Sequence, residues 1–142
     1  MTTNVLELVR SRRPGGAGAT ERDYLDFVID GRLLSEQIAG DFVTPLGWGD
    51  ASEQTRAARR LLLDEPADFP NDRRSLYVCP ECGDLGCGAL SAVIENVDNQ
   101  IVWRDFGHQN NYEDIVRLDD YRNIGPFVFE AAEYESVIRR VL

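Results

Sequence analysis

Apolar positions gather first in Val5-Leu6-Glu7-Leu8-Val9 and then give way to Arg12-Arg13-Pro14-Gly15-Gly16-Ala17-Gly18, a stretch with no periodicity and ample backbone freedom. Residues 1–20 therefore read as a flexible N-terminal tail ahead of one domain over residues 21–142. Order is expected to begin at Tyr24-Leu25-Asp26-Phe27-Val28-Ile29, a strand-like run closed by the Asp30-Gly31 turn signal, with a short helix suggested by Leu33, Leu34 and Ile38. After a loop around Thr44-Pro45-Leu46-Gly47-Trp48-Gly49, Asp50 and Glu53 resemble a capping box. Ala51, Ala58, Leu61 and Leu62 then form an apolar stripe opposite Arg56, Arg59 and Arg60, which predicts a helix over 51–63 that Pro66 and Pro70 end.

Three strands follow in the pattern, Leu76 to Cys79, Cys87 to Glu95 and Ile101 to Phe106, with a turn at Val97-Asp98-Asn99-Gln100 between the last two. This is a β-meander. Residues 107–124 are polar and read as an irregular connection. The chain closes on Gly125-Pro126-Phe127-Val128-Phe129 and a helix from about Glu130, where Ala131, Tyr134, Ile138 and Val141 recur at helical spacing. Acids in its first turns and Arg139 and Arg140 near its end suit the helix dipole. The expected fold class is α+β: a single domain with a mostly antiparallel sheet and helices packed on it.

Composition narrows the chemistry. A chain of 142 residues supports one ordinary core. Its 25 acidic residues face 15 basic ones, every one of them Arg, for a net charge of -10. Without lysine there is no Schiff-base amine and no P-loop lysine, and with the single His108 no site can use two histidines. Arg10, Arg12 and Arg13 against Glu7 give the first twenty residues a charge of +2, leaving -12 on the rest. Such a body repels phosphate, which argues against nonspecific nucleic-acid binding and against an anionic membrane, and favours a basic protein partner. No apolar run approaches a membrane span of about 20 residues. The N-terminus shows no basic region followed by an apolar stretch and cleavage site, so a cytoplasmic protein is expected.

The informative motif is Cys79-Pro80-Glu81-Cys82-Gly83-Asp84-Leu85-Gly86-Cys87-Gly88. Two thiolates separated by two residues can face one ion when the chain turns tightly, and the glycine after the second cysteine allows the positive φ that aims backbone N–H groups at sulfur. A tetrahedral site needs a fourth ligand, and His108 is the remaining soft candidate. If Asp98 and Asn99 are the tip of a hairpin, Ala89 stands opposite His108 and Cys87 lies two residues away on the same face. A loop over 80–86 would set Cys79 opposite Cys87, which yields a Cys3His zinc site of Cys79, Cys82, Cys87 and His108. The residues also allow a metal-free glycine loop whose cysteines are small buried hydrophobes. A thioredoxin-like reading is weaker, because Gly83, Gly86 and Gly88 oppose the helix on which that chemistry depends.

The remaining clusters have plain structural readings. Glu113-Asp114 and Asp119-Asp120 read as a solvated acidic face, although an acidic docking surface is compatible with them. Arg56, Arg59 and Arg60 with Arg73 and Arg74 read as an ion-paired helix face in preference to an anion site. Trp103, Phe106, Tyr112, Tyr121, Phe127 and Phe129 are expected mostly in the core.

From Leu76 onward, the Cys79–Cys87 loop, Trp103-Arg104-Asp105-Phe106 and Gly125-Pro126-Phe127-Val128-Phe129 occur in an order that resembles an uncharacterised family of small bacterial proteins. Its members carry a Cys-x(1,2)-Cys-Gly-x-x-Gly-Cys loop, a Trp-x-x-Phe strand and a closing Gly-Pro-Phe-x-Phe. The resemblance covers nearly half the chain. Family members commonly have a His shortly after that Phe, which His108 matches in position, although Gly107 and Gln109 replace the usual neighbouring Pro and Arg. The family implies no defined activity, and its occasional oxidoreductase label has no cofactor motif behind it here. The expected function is that of a small, acidic, noncatalytic binding protein whose sheet end is held by a zinc knuckle, an inhibitor or immunity-type protein for a basic partner. The alternative is a thiol-dependent redox enzyme using Cys82 or Cys87.

Overall fold

The computed structural model describes residues 3–142. Seven strands form two antiparallel sheets: β1 (Leu6–Arg13), β2 (Arg22–Ile29) and β3 (Arg32–Leu33) in one, and β4 (Arg73–Tyr77), β5 (Ala89–Val97), β6 (Gln100–Gln109) and β7 (Phe127–Glu130) in the other. Helix α1 (Ala51–Leu61) lies between the sheets in sequence, and α2 (Ala131–Ile138) follows β7. The architecture is α+β in one domain. No helix among the described residues is long and apolar enough to cross a membrane.

Local chemistry accounts for the elements read from the pattern. The Asp50 side chain accepts a hydrogen bond from Glu53 N at 2.8 Å and starts α1 at the expected residue. Asp98 and Asn99 take φ of 52° and 64°, the left-handed pair a two-residue hairpin needs, and Val97 pairs with Gln100 as the turn signal predicts. Asp30 and Gly31 turn β2 into β3 in the same way.

The first twenty residues overturn the tail reading. β1 pairs along its whole length with β2, from Leu6 opposite Ile29 to Arg13 opposite Arg22, and the glycine-rich stretch is the hairpin loop, closed by reciprocal Gly16–Ala19 backbone bonds of 3.0 and 3.1 Å. Only Leu6 of β1 is buried, so the strand carries little apolar signal. Backbone pairing and opposed charges hold it, with Arg12 directly across from Asp23 at 2.9 Å. Asn4 then stitches this sheet's start to β7: its N donates to Val128 O at 2.6 Å, and its side chain accepts from Val128 N at 2.8 Å.

Both sheets and both helices feed one core. Trp103 of β6 is fully buried, with Phe27, Phe129 and Tyr134 edge-on to it at ring separations of 5.1, 5.2 and 6.0 Å. Its indole donates to the Tyr134 hydroxyl at 3.2 Å, and that hydroxyl donates to Leu61 O at 2.8 Å, so the polar ends of both rings are satisfied inside the apolar cluster. Burial raises the Tyr134 pKa well above its ordinary value. Asp26 is the exception in this core. It is fully buried, Oδ1 accepts from the Tyr77 hydroxyl at 2.6 Å and from Phe27 N at 2.8 Å, and Oδ2 has no partner. A smaller cluster of Tyr24, Val43, Phe69, Val78 and Ala89, flanked by Trp48 and Leu85, lies toward the cysteine loop.

Candidate metal-binding site

The cysteine loop leaves the sheet where β4 stops pairing with β5. Val78 is turned away to exchange bonds of 3.1 and 2.7 Å with Val43, and Cys79 begins a tight turn that Gly83 N closes onto Cys79 O at 2.9 Å. Gly83 takes φ of 69°, which the four atoms of a Cβ-free backbone adopt without strain. Asp84 then starts a short 3-10 turn over Leu85–Cys87, accepting from Gly86 N at 2.8 Å, and Gly88, at φ of 95°, returns the chain to β5.

This path converges the three thiols. The sulfurs of Cys79, Cys82 and Cys87 lie within 4.8 Å of one another, those of Cys82 and Cys87 at 3.3 Å, and no disulfide joins them. Zinc at about 2.3 Å from each sulfur holds tetrahedral sulfurs about 3.8 Å apart, so the cluster has the dimensions of a metal site. Three cysteines are thus close enough to bind one metal ion. Cys82 and Cys87 are exposed, and Cys79 is half-buried.

The electrostatics fit ligation. Burial opposes ionisation of Cys79, but the backbone N–H groups of Cys82 and Glu81, with the neighbouring sulfurs of Cys82 and Cys87, outweigh it and lower its pKa. Asp84 N points at Cys82 Sγ at 3.3 Å. Cys87 is pushed the other way, to about 11, first by its contact with the Cys82 sulfur and then by the repulsion between two neighbouring thiolates. Three clustered thiolates repel one another, and a cation relieves that repulsion.

A polar clamp fixes the loop to the first sheet. The Glu81 carboxylate accepts from Thr20 N at 2.9 Å, from the Thr20 hydroxyl at 2.6 Å and from Arg13, and these bonds hold its pKa down at about 2. Arg13 also grips Asp41. Arg22 donates to Pro80 O at 2.8 Å and Glu81 O at 2.9 Å while its guanidinium sits 4.4 Å over the Trp48 ring. Sequence reasoning missed Arg13, Thr20 and Arg22 in this role, having assigned the first two to a tail. The signal available was the alternation of Leu6 and Leu8 on either side of Glu7, followed by a glycine-rich turn.

His108 does not join the thiols. Among the described residues, only the three cysteines bring their ligand atoms within 4.8 Å of one another. The cause is a β-bulge: Asp105, at φ of 54°, and Phe106 together face Ala92, so His108 pairs with Leu90 and Gln109 with Ala89. A one-residue slip exchanges the two faces of a strand. The ring therefore lies against Gly88, whose missing Cβ would come within 2.6 Å of Nε2, and packs 5.9 Å from the Phe42 ring. Backbone bonds of 2.9 and 2.8 Å tie His108 to Arg117. Burial, and then the Arg117 charge, lower its pKa.

Beside the loop opens a cleft of about 360 Å³ whose wall includes Cys82 and Gly83, with Trp48 and Leu85 as apolar lining and Arg60, Asp68 and Ser75 at its polar end. Asp68 pairs with Arg60 at 3.6 Å and accepts from Ser75 N at 3.0 Å. Arg73 and Arg74 stand apart from the helix arginines as buried side chains. Arg73 donates to Ser91 O and Asp105 O at 3.1 and 2.5 Å, and Arg74 to Glu65 O at 3.1 Å. The acidic segment is exposed and internally paired, Asp119 with Arg122 at 2.9 Å and Glu113 with Arg117 at 3.7 Å. The chain matches no family model, no curated protein and no solved structure.

Proposed function

We propose that this chain is a noncatalytic, acidic binding protein in which Cys79, Cys82 and Cys87 hold a structural zinc ion and whose partner is a basic protein. The convergence of three unoxidised sulfurs within 4.8 Å carries the zinc half of this reading. A d¹⁰ ion with no geometric preference of its own accepts the shape this turn offers, and soft thiolates select it over magnesium or calcium. The ion would cross-link the chain leaving β4 to the chain entering β5, at the end of the sheet where the ladder has already stopped. The partner half rests on charge. A net -10 without a lysine attracts a basic surface by long-range steering, as inhibitors and immunity-type proteins do by analogy.

A second reading draws on the same distances. Cys82 and Cys87 are exposed with sulfurs 3.3 Å apart, and closing that gap by a little over 1 Å makes a disulfide bond. In this redox reading the two thiols give two protons and two electrons to a substrate disulfide, which leaves as a dithiol. Native mass spectrometry with thiol counting separates the two. The zinc reading expects one zinc per chain and three thiols that alkylate only after chelation. Metal-free protein in which Cys82 or Cys87 alkylates at once at neutral pH would favour the redox reading and end the zinc one.

A further inference from the structure

We propose that the trithiolate site keeps one coordination position open and takes an exogenous imidazole there, so that the zinc knuckle is a docking point as well as a staple. The inference rests on the zinc reading and goes beyond it.

The chain supplies three ligands and withholds the fourth. No other Cys, His, Asp or Glu among the described residues brings a ligand atom within 4.8 Å of all three sulfurs. The sole histidine is held elsewhere by the bulged register, its backbone bonded to Arg117 and its ring against Gly88 and Phe42. Two of the three thiols are exposed, and Cys82 also walls the 360 Å³ cleft between Trp48 and Leu85. A donor therefore has a route to the ion both from solvent and along the cleft. Zinc with three protein ligands and an accessible fourth position exchanges that ligand, whereas a closed four-ligand site does not.

Charge selects the donor. Three thiolates and one divalent ion already carry -1, on a chain of net charge -10. A fourth thiolate or a carboxylate would raise the local charge to -2, while a neutral imidazole adds none and completes the Cys3His set familiar from structural zinc. The step is a simple exchange: the imidazole nitrogen lone pair forms a bond to the metal, a bound water leaves, and no electron is transferred. The imidazole can come from a small molecule or from a histidine on the basic partner. In either case it comes from outside, because His108 is the only one in the chain.

Cobalt(II) substitution tests this, since its visible spectrum reports the ligand set of a tetrahedral site. Reduced protein loaded with one cobalt ion is titrated with free imidazole, and in parallel with an arginine-rich peptide carrying one histidine. The expected result is a saturable one-to-one shift of the cobalt band, preserved in His108→Gln. Tighter saturation by the peptide assigns the donor to a protein partner, and equal saturation to a small molecule. A band that does not move with either probe overturns the open position. In the zinc-loaded wild-type chain, neither His108 ring nitrogen should take the nitrogen-15 shift of a zinc-bound imidazole, although the ring's contact with Gly88 lets it sense the ordering of the loop. A ring nitrogen moved into the metal-bound range would put His108 in the fourth position and overturn the proposal without touching the zinc reading. Failure to bind cobalt or zinc at all would remove both.

Discussion

The aromatic core and the cysteine loop lie in one small domain, yet they are held by different physics. Around Trp103, three aromatic rings pack edge-on to the indole, the hydroxyl of Tyr134 accepts its N–H, and nearly every side chain is removed from water. At the loop two of three thiols face solvent, Glu81 and Arg22 tie the turn to the first sheet by charge and hydrogen bonds, and the nearby apolar cluster has only a handful of members. Stability from buried area is insensitive to local chemistry, whereas stability from polar clamps and thiols responds to metal, redox state and partner. The domain thus places its responsive end on a rigid base.

Trp103→Ala should have the greatest effect, a loss of about 3–5 kcal/mol in urea unfolding, because it empties the site on which Phe27, Phe129 and Tyr134 converge. Removing the proposed zinc comes next. With free zinc at 100 to 1,000 times its dissociation constant, chelation should lower the unfolding free energy by about 3–4 kcal/mol. In a Trp48→Phe background, where Trp103 is the sole tryptophan, the near-ultraviolet dichroism should persist and amide exchange should rise only around residues 79–88, and collapse of the Trp103 signal would show that the two regions are not separable. Tyr77→Phe should cost about 1–3 kcal/mol, because the fully buried Asp26 then loses its only side-chain donor. Adding Asp26→Asn to that variant should recover part of the loss, measured as a double-mutant cycle. Arg13→Ala should be the mildest globally, since its carboxylate partners are solvent-exposed. It should nonetheless accelerate alkylation of Cys82 in metal-free protein, and an unchanged rate would show that the clamp does not order the loop.

Much of the fold was legible. The Asp50 cap and the Asp30-Gly31 and Asp98-Asn99 turns are local signals that appear where the pattern puts them, and the helix stripes do so through Ala58, Leu61, Ala131, Tyr134 and Ile138, while Ala51 is exposed and Val141 lies past the end of α2. β1 was not legible, because an edge strand with one buried side chain draws its stability from pairing with a partner that only the fold supplies. Arg73 and Arg74 were misread for a related reason: a charged side chain is expected in water until backbone carbonyls distant in sequence are seen to accept from it. At the site, Cys79, Cys82 and Cys87 could be grouped from spacing alone, since turn chemistry within nine residues brings them together.

Local spacing and turn chemistry thus determined the α+β class, the meander hairpin and the thiol trio. The tertiary structure decided the two-sheet arrangement, the grip of Arg13 and Thr20 on Glu81, and the placement of His108. The last of these shows the physical reason. Hairpin counting carries a residue faithfully across a regular ladder, but a single bulge at Asp105 and Phe106 reverses the face of everything beyond it, and the contacts made there, from the buried Arg73 to Asp105 O and from Phe106 to Phe127, are tertiary.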